Sequence, residues 1–238
     1  MRKHIGKKIP LSVRIKNRIF LKGGKRMFRL LTLFCALGLF LTGCYDDSNQ
    51  EFTRFYEDGR SKPSVVLATI VDTTSFDYPW SLSEEFHSLL RSSFSSKGTL
   101  YIKEDNSSYL TSTKNPFGDD LDWIKQEYAP NEFVVFMEFI QHDQIPAKVV
   151  QDPLENVSTN LNLALRLRIV DIRGDHPKVI LQQVIKDSFY TPKNFLPVDY
   201  NDTVWGTEEY TQSPLGTAHL KFCQTLVERL NDYILLAK

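Results

Sequence analysis

An α/β sandwich, one mixed β-sheet with helices packed on it, is the fold class this sequence predicts. Three observations lead there. Short apolar runs alternate with amphipathic stretches through the first part of residues 64–238. A cleanly alternating segment and a returning apolar one then face each other across a turn marked by Gly and Pro. A long stretch with helical apolar spacing closes the chain. Such elements bury their apolar faces together when one sheet is covered by helices. The predicted order is β-α-β-α-β-β-β-α over a single domain, residues 64–238.

The elements follow in chain order. "SVVLATIV" (64–71) is a short β-branched run and reads as a buried strand. "SLSEEFHSLLRSSF" opens with Ser81 and, three residues later, Glu84, the spacing of a capping box. Leu82, Phe86, Leu89, Leu90 and Phe94 then recur at helical spacing, and Gly98 ends the unit. "TLYIKED" (99–105) alternates as a strand. "DDLDWIKQEYA" (119–129) begins with acids suited to a helix N-terminus, and Pro130 stops it. "FVVFMEFIQ" (133–141) is a central strand, and 142–159 reads as loop or a weak edge. "LNLALRLRIVDI" (161–172) and "VILQQVIKDSF" (179–189) form a hairpin around "RGDHPK". Residues 190–214 show no period, and 215–236 read as a long amphipathic helix.

Ahead of this domain the chain changes character. Residues 30–42 form an apolar run of thirteen, flanked upstream by Lys22, Lys25, Arg26 and Arg29. A membrane span needs about 20 apolar residues, whereas a signal-peptide core has about 7–15 after a positive flank. The expectation is a signal peptide over 1–43. Met27 begins a complete signal by itself, so 1–26 reads as a possible start-site extension. Leu41-Thr42-Gly43-Cys44 resembles the lipobox of bacterial lipoproteins. That resemblance implies cleavage before Cys44 and acylation of its thiol and amine, which would anchor the chain in a membrane. Residues 44–63 then read as a polar tether.

Composition agrees. The whole chain has no net formal charge, but residues 1–43 hold eleven Lys or Arg and no acid. Residues 44–238 keep 18 Lys and Arg against 29 Asp and Glu, a net of −11. An acidic body argues against nucleic acid as a partner, since phosphate binding relies on clustered Lys and Arg. Of the three cysteines only Cys223 falls in the domain, on an apolar helix face, so no disulfide framework is expected.

Catalytic and cofactor signatures are not evident. The sequence carries no Gly-rich phosphate loop, HExxH, GxSxG or CxxC, and no cofactor, metal or catalytic residue is expected. His142 with Asp143 reads as structural or solvated. Asp119, Asp120 and Asp122 read as a helix start, although Asp119 and Asp122 keep open an alternative role as hydrolase carboxylates. Arg166 and Arg168, on the polar face of their strand, read as partners of surface acids rather than as an anion site. The stronger signal is aromatic. "SFDYPW" carries Phe76, Tyr78 and Trp80, and the long irregular segment after 190 carries Phe195, Tyr200, Trp205 and Tyr210. Aromatic side chains bury large area at low entropic cost, so Tyr78, Trp80, Tyr200 and Trp205 are the candidate partner-binding residues.

The strand "SVVLATIVDTTS", the Ser-Glu-Glu-Phe helix start, "TLYIKED", "FVVFMEFIQ" and the hairpin "LRLRIVDIRGDHPKVI" together resemble the domain of penicillin-binding-protein activator lipoproteins (LpoB). They are also similar to the curli-secretion lipoprotein CsgG and the N-terminal domain of TolB. More loosely, the whole chain resembles chlamydial lipoproteins. The resemblance implies a lipid-anchored, non-enzymatic envelope protein that binds another envelope protein, such as a peptidoglycan synthase or a secretion component. A ring-forming secretion subunit is the further alternative. The expected location is the outer membrane, facing the periplasm.

Overall fold

The computed structural model describes residues 53–103, 114–147, 158–192, 199–203 and 205–238. The signal segment, Cys44 and the lipobox residues Leu41, Thr42 and Gly43 lie outside the described residues, as does Phe195.

The architecture is the expected one, a mixed sheet with helices on both faces. Six strands, β1 (Ser64–Leu67), β2 (Val71–Asp72), β3 (Tyr101–Lys103), β4 (Phe133–Pro146), β5 (Thr159–Asp171) and β6 (Lys178–Thr191), lie in one sheet. Their spatial order is β3-β1-β4-β5-β6, with β2 continuing the line of β1 along β4. The β1–β3, β1–β4 and β2–β4 pairs are parallel, and the β4–β5–β6 ladder is antiparallel.

The main core lies on the face covered by α1 (Leu82–Lys97) and α4 (Pro214–Leu236). Its largest fully buried rings are Phe86, Phe94, Phe133, Phe139 and Phe222. Leu161, Leu163, Leu165, Leu167 and Ile169 of β5 all point into it, as their alternation predicts. On the opposite face α2 (Asp122–Tyr128) packs Trp123, Ile124 and Tyr128 onto Val134, Phe136 and Val170. The helix ends follow local chemistry. Ser81 Oγ accepts from the Glu84 backbone N–H, and Gly98 closes α1 at φ +64°.

Several details depart from the sequence reading. The strand expected over 64–71 is split into β1 and β2. Residues 68–70 there oppose only Phe136 and Met137 of β4, one residue more than the partner supplies. β4 runs on to Pro146 rather than ending at Gln141, because β5 pairs with it out to Pro146–Thr159. An interrupted register at Ile140 lies inside this ladder. The irregular segment after 190 contains a short helix, α3 (Glu208–Gln212), whose C-terminal residue Ser213 caps the start of α4 through its Oγ and the Gly216 N–H. The last part of the expected tether runs against the domain: Phe55 bridges to Ser61, and Tyr56 donates to the Thr99 carbonyl at 2.8 Å.

Candidate functional site

The two aromatic stretches, far apart in sequence, meet at one place. β2 ends at Asp72, and the loop that follows carries Phe76, Tyr78 and Trp80 past the carboxyl ends of the parallel strands. In open α/β sheets that is the end where ligands bind. Tyr78 stacks on Trp80 at 5.3 Å between centroids and meets Tyr200 edge-on at 5.4 Å. Trp80 meets Tyr210 of α3 edge-on at 5.4 Å. Tyr78, Trp80, Tyr200 and Trp205 are each half-buried against the main core. Tyr78, Trp80 and Tyr200 roof the sheet end, each partly exposed. Tyr200 also accepts the Leu215 N–H, which ties the second stretch to α4.

Beneath this roof lies a buried polar chain. Glu85 of α1 is wholly buried, as is His219 of α4. Trp80 Nε1 donates to Glu85 Oε2 at 2.8 Å, while Tyr210 Oη and His219 Nδ1 approach Oε1 at 2.5 and 2.8 Å. Three donors on one carboxylate satisfy most of its accepting capacity. Burial alone would push the Glu85 carboxyl up. Hydrogen bonds and charge from His219, with the Tyr210 and Trp80 hydrogen bonds, outweigh it and hold the group below the ordinary range. The Tyr210 hydroxyl is driven up by burial and by the adjacent Glu85 charge, so it stays a donor.

The chain continues to the surface. His219 Nε2 faces His142 Nε2 at 3.0 Å, and with Nδ1 of His219 committed to Glu85, one proton is held between the two rings. The extra residue Ile140 explains why His142 is there. Phe133, Val135, Met137 and Phe139 point into the main core, so strict alternation would send residue 142 to the other face. The register shift between Phe139 and Gln141 turns His142 towards α4 instead. Phe76 lies edge-on over His142 at 4.8 Å. Burial, then the nearby His219, lower His142 to about 4.

The other candidates fall elsewhere. Asp119, Asp120 and Asp122 are exposed, and Asp120 Oδ1 accepts the Asp122 backbone N–H as a helix-start group. Arg166 pairs with Glu138 at 3.3 Å, as expected of a surface pair. Arg168 differs: it is buried and donates to the carbonyls of Pro116, Phe117 and Gly118 and to Gln182 Oε1, not to acids. Cys223 is buried, and burial raises its thiol to about 12, the behaviour of a packing residue. Among the described residues no three or more His, Cys, Asp or Glu are arranged to hold a metal ion, and no helix is long and apolar enough to cross a membrane.

His142 was read from the sequence as structural or solvated, Tyr210 only as one of the aromatic residues after 190, and Glu85 and His219 carried no separate signal. Glu85 follows the Ser81–Glu84 capping box in the first turn of a predicted helix, and His219 lies within the long amphipathic stretch that closes the chain. Nothing in either pattern says that they meet.

Fold and site together define a mixed α/β domain whose carboxyl-end loops roof a buried Glu–His–His chain. Residues 51–238 match a family of unknown function (DUF7499), and the chain belongs to that family. No curated protein matches it. Among solved structures it is similar to the hypothetical protein CT253 of Chlamydia trachomatis. There the identity is 21%, the match spans 73% of this chain and 98% of that one, and the TM-score is 0.57. Weaker likenesses include lipoprotein GNA1162 of Neisseria meningitidis and a minor lipoprotein of Acinetobacter baumannii. Each is 9% identical with a TM-score of 0.35, covering 71% of this chain and 99% and 92% of theirs.

Proposed function

We propose that the chain is a lipid-anchored, non-enzymatic protein of a bacterial envelope whose domain binds another envelope protein through the aromatic roof. The observation that carries this reading is the convergence of Tyr78, Trp80 and Tyr200 at one end of the sheet, with Trp205 of the same irregular segment half-buried against the core. Half-buried aromatic rings held by a rigid scaffold suit a protein interface, where they add area without much ordering cost. The anchor rests on the Leu41-Thr42-Gly43-Cys44 signature, with acyl chains on Cys44 holding the domain at the outer membrane, facing the periplasm.

Two measurements test it. Cys44→Ala should abolish palmitate incorporation and release the protein from membranes; unchanged labelling and anchoring overturn the lipoprotein reading. A photo-crosslinking residue at Tyr78 should capture one discrete envelope protein in intact cells, while the same residue at exposed Glu228 on α4 should not. Equal adducts from both positions remove the roof as the binding surface.

A further inference from the structure

The Glu–His–His chain is built into the face proposed above to bind, and its outer end has a distinctive position. His142 is the point where the buried chain reaches the aromatic loop. On one side its Nε2 meets Nε2 of His219 at 3.0 Å, and on the other its ring supports Phe76 at 4.8 Å. The rings of His142 and His219 lie at 75° with centroids 5.2 Å apart, so they meet nitrogen to nitrogen. Such a contact holds with one proton between the rings. A second proton puts an N–H donor on each of the two facing nitrogens with no acceptor between them, and the contact becomes repulsive. The loop then loses its support under Phe76 and keeps its other ties, the Thr73 hydrogen bonds to the Phe139 carbonyl, the Trp80 indole N–H on Glu85 and the ring contacts of Tyr78 with Tyr200 and of Trp80 with Tyr210.

We propose that His142 is a proton-operated latch on the aromatic loop: when it is protonated, its contact with His219 breaks and residues 73–80 loosen, remodelling the binding face in acidic surroundings. The charged and titratable groups around it come from each packed element. They are His219 from α4, Asp72 from β2 and Glu85 from α1, with Tyr210 of α3 joined through Glu85 and His219. His219 opposes a proton on His142, whereas Asp72 and Glu85 favour one. Burial has the largest influence, and it is relieved when the loop lifts, so uptake of the proton and opening are coupled.

The use of the latch rests on the aromatic face being the binding surface, but the latch itself is read without a partner, so the two can fail separately. The test is amide hydrogen exchange of residues 73–80 in the full-length lipidated protein in detergent, from pH 7 down to pH 4, corrected for intrinsic rates. The opening constant should rise by up to about tenfold per pH unit below ~6.5, reaching roughly 150-fold by pH 4, as expected for one proton taken up on opening. In His142→Gln the same segment should show a flat profile. A parallel NMR titration of the unmodified protein should show the His142 ring taking its proton over the pH range in which the loop opens. A flat profile in the unmodified protein overturns the proposal. So does an unchanged slope in His142→Gln, or a His142 ring that titrates apart from the opening.

Discussion

The two faces of the sheet each bury a charge, and they settle it in different ways. On the α1/α4 face, Glu85 is held by the side chains of Trp80, Tyr210 and His219. On the α2 face, Arg168 is held by three consecutive backbone carbonyls and by Gln182. Both arrangements satisfy a buried charge, as burial demands. Carbonyls and an amide do not titrate in the physiological range, so the Arg168 site is fixed cement that pins the 116–118 loop to β5. Imidazoles do titrate, so the Glu85 site passes charge to the surface at His142. The difference separates a buried charge that builds structure from one that can respond to its surroundings.

The sharpest way to test that comparison is to remove one charge from each face. Glu85→Leu strands three buried donors at once and should cost about 3–5 kcal/mol of unfolding free energy in urea titrations. Arg168→Leu should cost less, about 2 kcal/mol, since the carbonyls it leaves lie on a loop that water can reach. The pH dependence should also separate them: the Glu85 contribution, lost below its ordinary value of 4.5, should be missing in Glu85→Leu and kept in Arg168→Leu.

Gly216→Ala tests the roof from behind. A Cβ at Gly216 would overlap the Tyr210 carbonyl, which lies against the start of α4. The substitution should cost about 2–3 kcal/mol by pushing α3 off α4, and it should quench or shift the fluorescence of Trp80, which rests on Tyr210.

Global stability should itself fall with acid. The folded protein holds His142 at about 4, below the free value of 6.5, so the unfolded chain binds that proton first. The contribution is therefore fully present above pH ~6.5 and is lost as the pH falls towards about 4. Its size is about 3 kcal/mol across the window. Glu85, also held low, acts in the same direction at still lower pH. Urea midpoints between pH 7 and 4 should follow this course in the unmodified protein and flatten in His142→Gln. The smallest effect belongs to the partly exposed pair: Arg166→Ala should change stability by about 1 kcal/mol or less, and by less still in high salt.

Much of the fold was legible in order. Alternation over β5 pointed Leu161 through Ile169 to one face, and the structure buries them there. The 215–236 pattern predicted α4 almost residue for residue, and Ser81 with Gly98 marked both ends of α1. The end of β4 was not legible, because residues after Ile140 are polar on their exposed side and pair by virtue of β5 alone. The aromatic stretches were recognisable as unusual, but their meeting was not. Period analysis reports which face a residue occupies and stops there.

Local chemistry thus determined the elements: side-chain periodicity, caps and turns act over a few residues, and they are written along the chain. Tertiary structure alone decided the buried chain. Glu85 and His219 are separated by 134 positions, and His219 and His142 by 77. Their contact depends on how α1 and α4 pack, and on one extra residue in β4 that turns His142 inward. Hydrogen bonds reach about 3 Å, so bringing these groups together requires every packing distance between them to be set first.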